Sequence, residues 1–212
     1  MTDRHPSTDL AALRGAYALA AGAAAATAMS AGADIVYSGA QDISIAQFSS
    51  LNLNIDGDAY GDLLLKNYVF SGGAYQGATV NFYPGKLVGF NAGPNNFAYV
   101  SALAAGFTVD SASVGASFFG SLAYGAGNPN AQFNSASNAF LGLSFASGAN
   151  IYYGWVRVSI DNASGSFIVH DWAYENSGAG IATGAVPAPG ALGLLALGAP
   201  GLGLLRGRKR GA

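Results

Sequence analysis

A short acidic segment contains the residues whose spacing best suits metal chemistry. From Asn54 onward, oxygen-bearing side chains recur at every second position, and Asp62 adds another. Ca²⁺ is bound by roughly six to eight oxygen atoms, so a tight loop with this spacing predicts a calcium site. The predicted ligands are four side chains and one backbone carbonyl, from Asn54, Asp56, Asp58, Tyr60 (the carbonyl) and Asp62.

The same segment also fits a simpler structure. Ala59 stands where a calcium loop usually has glycine, and Leu65 stands where a full EF-hand has its bidentate glutamate. An acidic β-turn between two strands, kept soluble by its charges, accounts for the same residues. Both interpretations stay open, and no other cofactor is expected.

Aromatic residues near the end of the chain form a second candidate site. Tyr153, Trp155 and Trp172 lie in segments that alternate between apolar and polar residues. Flat aromatic faces stack on sugars, so these residues predict a carbohydrate platform if they are exposed. Tyr and Trp at alternating positions of a hairpin also form ordinary packing, and burial of Trp155 would favour that interpretation.

Catalytic chemistry has little material in this chain. There are two histidines, one glutamate and no cysteine. His170 and Asp171 are adjacent, and neighbours in a strand point to opposite faces, so they cannot pair as a base and its orienting group. Neither a Gly-x-Ser-x-Gly elbow nor a phosphate-binding loop occurs. We therefore expect a protein that is not an enzyme.

The composition describes a sparsely charged chain with basic ends. Only 9% of the 212 residues are charged, against roughly 25% in a typical domain, and 31 are glycine. The net charge of −2 gives no reason to expect a nucleic-acid partner. Between Asp34 and Ala185 there are nine acidic and three basic residues, so this part alone carries −6.

The first 33 residues have the layout of a secretory signal. Arg4 and Arg14 precede an uncharged run over residues 15–28, and Ala31-Gly32-Ala33 supplies an A-x-A cleavage pattern. Cleavage there makes Asp34 the new N-terminus, and a cut after Ala28 is the alternative. The other interpretation is the alanine-rich first helix of a soluble domain, which would lack a polar face.

The other end predicts a membrane anchor. Two prolines precede an uncharged run over residues 190–205, which is slightly shorter than the roughly 20 residues that span a bilayer. Four basic residues follow and would stay on the cytoplasmic side of the membrane, namely Arg206, Arg208, Lys209 and Arg210.

Pro-x-Pro, a short Gly/Ala/Leu helix and a basic terminus together resemble the PEP-CTERM sorting signal of bacterial exported proteins. Pro187, Ala188 and Pro189 match the motif, with Ala188 in place of its glutamate. The resemblance implies processing by an exosortase-type membrane transpeptidase after passage through the export machinery. A permanent C-terminal anchor is the simpler alternative.

The chain between these ends predicts an all-β domain. Short apolar or alternating segments recur between glycine- and proline-rich turns, without a helical period, which favours an antiparallel sandwich or jelly roll. The predicted domains are residues 1–33, 34–185 and 186–212. The expected strands are residues 34–37, 43–48, 63–70, 78–83, 97–102, 113–118, 140–145, 152–160 and 166–174.

The last two predicted strands form the clearest hairpin. Alternation puts Tyr152, Val156, Val158 and Ile160 on one face and Tyr153, Trp155, Arg157 and Ser159 on the other. If Ile160 pairs with Ser166, Trp155 lies opposite Asp171, and Trp172 shares a face with Tyr152 and Tyr174. A slip of one residue would reverse this arrangement.

Three segments of this region are similar to the C-terminal half of a planctomycete-type PEP-CTERM domain. They are residues 140–145 (FLGLSF), 153–158 (YGWVRV) and 170–175 (HDWAYE), and residues 35–39 (IVYSG) resemble its start. This resemblance implies an exported β-rich domain without an established activity. The expected function is a non-enzymatic protein of the cell surface or extracellular matrix. The alternative is a carbohydrate- or calcium-binding module associated with extracellular polysaccharide.

Overall fold

Fourteen β-strands and one short 3₁₀ helix make up the part of the chain that the computed structural model describes, residues 34–187. The strands are β1 (Ile35–Tyr37), β2 (Ile43–Ser44), β3 (Ser49–Leu53), β4 (Leu63–Phe70), β5 (Gly73–Val80), β6 (Lys86–Leu87), β7 (Gly89–Ala92), β8 (Phe97–Val100), β9 (Thr108–Val109), β10 (Phe119–Ala123), β11 (Ser135–Ser147), β12 (Asn150–Asp161), β13 (Ser166–Glu175) and β14 (Ile181–Ala182). The 3₁₀ helix is Gly125–Gly127. Within these residues, no helix is long and apolar enough to cross a membrane.

The strands form two six-stranded sheets and one short ribbon. Sheet A has the order β1-β13-β12-β11-β6, and β2 also pairs with β13. Sheet B has the order β3-β4-β5-β10-β8-β7, in which β8 and β10 are parallel and the other neighbours are antiparallel. The ribbon pairs β9 with β14. The expected all-β, antiparallel architecture is confirmed.

The main core lies between the two sheets. Apolar residues at alternate positions of β4 and β11 point into this core, namely Leu63, Leu65, Leu141, Leu143 and Phe145. Burying one such Leu or Phe side chain stabilises a protein by about 1.5–3 kcal/mol. The largest fully buried members are Leu63, Leu65, Leu87, Leu122, Phe133, Leu141, Leu143, Phe145, Ile160 and Phe167. The fold is therefore a β-sandwich.

A second core covers part of the outer face of sheet A. Trp155 and Phe140 lie on that face with their rings 5.2 Å apart, and Val109 and Ile181 of the β9–β14 ribbon belong to the same cluster. Here sheet A is buried on both faces. Gly142 is required at this place because a Cβ atom would come within 2.9 Å of Leu103, Val88 and Val109.

The predicted strands match the structure unevenly. Residues 63–70 are β4 from end to end, whereas 78–83 covers only the end of β5. The prediction for 113–118 is wrong, since the strand begins at Phe119. Asp110 accounts for the start of this difference, because its carboxylate accepts the N–H groups of Ala112 and Ser113 and holds residues 111–113 in a turn.

The faces of β12 are as predicted, but its register with β13 is not. Asp161, rather than Ile160, pairs with Ser166. Val158 pairs with Val169 and Arg157 with Asp171, so His170 is an extra residue that forms a β-bulge. The bulge changes which residues of β13 face inward. Phe167 and Val169 precede it, Trp172 and Tyr174 follow it, and all four contact the main core.

Candidate functional site

The acidic segment forms a loop between β3 and β4 that is held by its own side chains. Asn54 Oδ1 accepts the Gly57 N–H at 2.7 Å, and Asp58 Oδ1 accepts the Tyr60 N–H at 2.6 Å. Asp56 Oδ1 accepts the Asp58 N–H at 3.1 Å. These are the local hydrogen bonds by which Asx residues stabilise turns. The loop therefore has the structure of an acidic turn.

Asp62 closes this loop from a buried position. Its Oδ2 accepts the Ile55 N–H at 2.7 Å. Burial raises the pKa of Asp62 from its ordinary value of 3.8 to about 6, against the lowering effect of the Ile55 N–H, and the charges of Asp56 and Asp58 add to the increase. At pH 7 Asp62 is thus mostly ionised, although its burial and the charges of Asp56 and Asp58 disfavour the ionised form.

Three of the predicted calcium ligands are carboxylates of the acidic loop, from Asp56, Asp58 and Asp62. No group of three Asp, Glu or His side chains in residues 34–187 is placed to hold a metal ion. Asp56 Oδ2 is buried without a hydrogen-bond partner among the described residues. A bound cation would reduce the repulsion among the three carboxylates. Calcium binding by this loop stays a prediction.

The aromatic platform predicted from the hairpin does not form. Trp155 is only 2% exposed, because the β9–β14 ribbon and Phe140 cover it. Tyr153 lies at the edge of the same cluster, whereas Trp172 packs against the main core on the opposite face and donates its Nε1–H to the Ile55 carbonyl. A buried tryptophan and two aromatic residues on opposite faces cannot stack on one ligand.

A different set of aromatic residues is exposed at one end of sheet B. Tyr83 is 94% exposed, and Tyr60 and Phe82 meet edge to face with ring centroids 5.9 Å apart. Phe118 and Phe119 form a second edge-to-face pair at 5.2 Å. We call these five residues the aromatic rim. Large exposed aromatic clusters are unusual on a protein surface and mark binding sites.

Two grooves run beside the aromatic rim and share Asn81 and Phe82. Their volumes are about 420 and 450 Å³. Asn81 donates from Nδ2 to Asn52 Oδ1 at 2.7 Å and to the Gly61 carbonyl at 2.6 Å. A Cβ atom at Gly61 would collide with the Asn52 amide, which would then have to move away from Asn81. The grooves combine exposed aromatic faces with fixed amides.

An ion pair lies on the outer face of sheet A beyond the second core. Arg157 donates to Asp171 through Nε at 2.8 Å and Nη2 at 2.6 Å, and the Tyr37 hydroxyl donates to the same carboxylate at 2.8 Å. Burial alone would raise the pKa of Asp171, but these hydrogen bonds outweigh it and hold the pKa below its ordinary value.

The neighbouring row of side chains joins a serine, a histidine and an aspartate. His170 Nδ1 lies 2.6 Å from Asp42 Oδ1, and His170 Nε2 lies 2.8 Å from Ser159 Oγ. From the sequence, Asp171 is the acid adjacent to His170, and it points to the opposite face of the strand. Asp42 was missed because it is 128 residues away along the chain, and no local pattern signals that β2 lies beside β13.

No protein-family model, curated protein or solved structure matches this chain. Function is therefore argued from the residues themselves.

The predicted sorting residues lie at or beyond the end of the described chain. Pro187 is exposed and follows β14 by five residues. Ala188, Pro189 and the basic cluster Arg206, Arg208, Lys209 and Arg210 lie outside the described residues, as does the predicted signal at 1–33.

Proposed function

We propose that this chain is an exported bacterial protein of the cell surface or extracellular matrix. The observation that carries the proposal is the C-terminal pattern of Pro187-x-Pro189, an apolar run and a basic cluster, which resembles a PEP-CTERM sorting signal. Residues 34–187 belong to one compact unit with its own core, which suits a domain that is displayed outside the cell. This role requires no catalysis.

The finer architecture belongs to the same proposal. The sandwich is of the jelly-roll kind, preceded by a signal helix and followed by a transmembrane helix. The export machinery would recognise the first segment and an exosortase the second, so the chain is held in the inner membrane before its release to the surface.

The mass of the exported protein tests this proposal. We expect an N-terminus at Asp34 and loss of the basic cluster. In a variant with Pro187 and Pro189 both replaced by alanine, we expect the basic cluster to be retained because the sorting motif is gone. The control replaces Pro94, in the turn between β7 and β8, with alanine and should be processed normally. An exported protein that keeps Arg206 to Arg210 would contradict the proposed processing.

A second candidate function is binding of extracellular polysaccharide, and the aromatic rim is the observation that favours it. Sugars present apolar faces to aromatic rings and hydroxyl groups to amides. The exposed rings of Tyr60, Phe82 and Tyr83 lie beside the Asn52 and Asn81 amides, which supplies both kinds of contact. Calcium at the loop 54–62 belongs to this alternative, because Tyr60 is part of both.

Replacing Tyr83 with alanine should weaken polysaccharide binding by about two- to twelvefold, since one lost stacking contact is worth roughly 0.5–1.5 kcal/mol. Affinity electrophoresis in gels that contain the polysaccharide of the producing cells measures this change. Phe48→Ala is the matched control, because Phe48 is also highly exposed but lies in the turn before β3, outside the grooves. Equal mobility of wild type and Tyr83→Ala would exclude the aromatic rim as the binding site.

A further inference from the structure

Ser159, His170 and Asp42 are arranged as a nucleophile, a base and an orienting acid. An ionised Asp42 carboxylate only accepts hydrogen bonds, so His170 Nδ1 carries the proton that joins them. The neutral ring is then an acceptor at Nε2, where it receives the Ser159 O–H at 2.8 Å. This order and these distances are the ones that general-base activation of a serine requires.

Backbone irregularities converge on these residues. On one side of Ser159, two residues of β11 (Ser137 and Asn138) stand opposite it as a β-bulge. On the other side, His170 is the extra residue of the bulge in β13. Bulges are over-represented next to active sites, where they redirect a side chain.

Two of the four non-glycine residues with positive φ in residues 34–187 also belong to this place. They are Asp42, with φ of 48°, and Asn138, with φ of 54°. Asp42 is the acid that contacts His170 Nδ1. Asn138 donates its backbone N–H to Ser159 Oγ at 3.0 Å. Left-handed backbone at such residues is uncommon and is concentrated at functional sites.

Ser159 opens into a cleft of about 290 Å³. Its lining is small and rich in hydroxyl groups, with one acid, and consists of Ser135, Ala136, Ser137, Ser159, Ile160, Asp161 and Ser166. The volume suits a short acyl group better than a fatty chain, and the hydroxyl groups suit a polyhydroxylated alcohol. Asp161 disfavours an anionic substrate near Ser159.

We propose that Ser159, His170 and Asp42 form an acyl-transfer centre that hydrolyses short-chain esters of hydroxyl-rich compounds, such as acetyl esters of sugars. Ser159 Oγ attacks the ester carbonyl as its proton passes to His170 Nε2. The bond to the leaving alcohol breaks, and the alcohol takes that proton. Water then gives a proton to His170 and its oxygen attacks the acyl carbon, which releases the acid and returns the proton to Ser159 Oγ.

The Asn138 N–H donates to Ser159 Oγ at 3.0 Å, so it lies beside the nucleophile and is the donor that we assign to the ester carbonyl oxygen as that oxygen becomes negative. Ser159 and His170 are the catalytic residues of this centre, and Asp42 is a positioning residue that acts through the imidazole ring. The activity goes beyond the display role proposed above and would replace the prediction of a non-enzymatic protein.

Covalent labelling of the full-length chain tests the nucleophile. The chain is purified in an ester-free detergent and treated with diisopropyl fluorophosphate, and peptide mass mapping locates the adduct. We expect one adduct per chain, on Ser159, and none in Ser159→Ala. Ser50→Ala is the matched control, because Ser50 is an exposed serine on β3 of sheet B. An unlabelled Ser159 in the wild-type chain overturns the proposal.

Hydrolysis of p-nitrophenyl acetate tests the roles of all three residues. Ser159→Ala should lower kcat/KM by about 10⁴-fold or more, the scale that loss of a triad residue has in serine hydrolases. Asp42→Asn should lower kcat with an unchanged KM, and its backbone is retained because Asn also tolerates positive φ. Thermal melting confirms that each variant is folded. A folded Ser159→Ala chain with wild-type hydrolysis overturns the proposal, as does a folded Asp42→Asn chain with wild-type kcat.

Discussion

Replacing Arg157 with methionine is expected to lower the free energy of unfolding by about 2 to 4 kcal/mol. The Asp171 side chain is 4% exposed, and Arg157 supplies two of the hydrogen bonds that keep its charge in that position. Removing one partner of a buried ion pair leaves the other charge uncompensated, which typically costs about 3–5 kcal/mol. The expected loss is lower because the Arg157 side chain is 34% exposed and water screens part of the interaction.

The pH dependence of stability should change in the same variant. In the wild-type chain the folded-state pKa of Asp171 is depressed, so its contribution is present above the ordinary pKa and is lost as pH falls through the folded pKa. Without Arg157, burial, the largest influence on that pKa, is opposed by the Tyr37 hydrogen bond and by His170, and we expect the pKa to rise above its ordinary value. The Arg157→Met chain should then become more stable as pH falls from 7 towards 5.

Urea unfolding at several pH values measures both effects. Lys66→Met is the matched control, because Lys66 is a partly buried cation on sheet B whose ammonium group contacts the Thr79 hydroxyl rather than an acid. It should lose less than about 1 kcal/mol. Replacing Asp171 with leucine in the Arg157→Met background should recover much of the loss, since no buried charge remains. A loss no larger in Arg157→Met than in Lys66→Met would show that the ion pair is unimportant for stability.

Replacing Asn67 with leucine is expected to be at least as damaging, at about 3 to 5 kcal/mol. Asn67 is fully buried between the sheets, where Nδ2 donates to the carbonyls of Ile45 at 2.7 Å and Gly165 at 2.9 Å. Its Oδ1 accepts from Gln76 Nε2 at 2.9 Å. Leucine has a similar volume but leaves these three polar groups without a partner, and each such group costs about 1–3 kcal/mol.

The same urea experiment tests this prediction. Asn91→Leu is the control, because Asn91 is exposed on β7 and its change should stay within about 0.5 kcal/mol. Amide exchange adds a local readout. Protection of the loop between β12 and β13 should fall, since Asn67 holds the Gly165 carbonyl of that loop. If the free energy of unfolding of Asn67→Leu lies within about 1 kcal/mol of the wild-type value, water must satisfy the three polar groups instead.

The sequence predicts the strands that have one plain apolar face and fails where backbone detail decides. β4 and the faces of β12 follow from alternation alone, since only one arrangement buries the apolar side chains. The register of β12 and β13 was wrong because a bulge adds one residue without a distinctive sequence pattern. The sequence left open whether Trp155 is a platform residue or is buried, because the β9–β14 ribbon that covers it comes from two short distant segments.

The candidate sites divide in the same way. The acidic loop is contiguous, so its residues and their turn could be found from spacing. The aromatic rim brings together Tyr60, Phe82, Tyr83, Phe118 and Phe119, which come from three separate connections and the first residue of β10 and share no spacing rule. The chain of Asp42, His170 and Ser159 depends on which strands are neighbours in sheet A, and sheet order cannot be read from strand patterns.

The bulge at His170 matters to the core through the number of residues in β13 and not through the imidazole side chain. His170→Ala keeps the residue count of β13, so Phe167 and Val169 on one side and Trp172 and Tyr174 on the other can all still face the core. Deleting residue 170 would instead turn one of these two pairs outward. The fold should therefore tolerate substitution of residue 170 but not its deletion, although this residue lies on the surface side of β13. A one-residue gap at position 170 in a related sequence would indicate that different residues of β13 pack in its core.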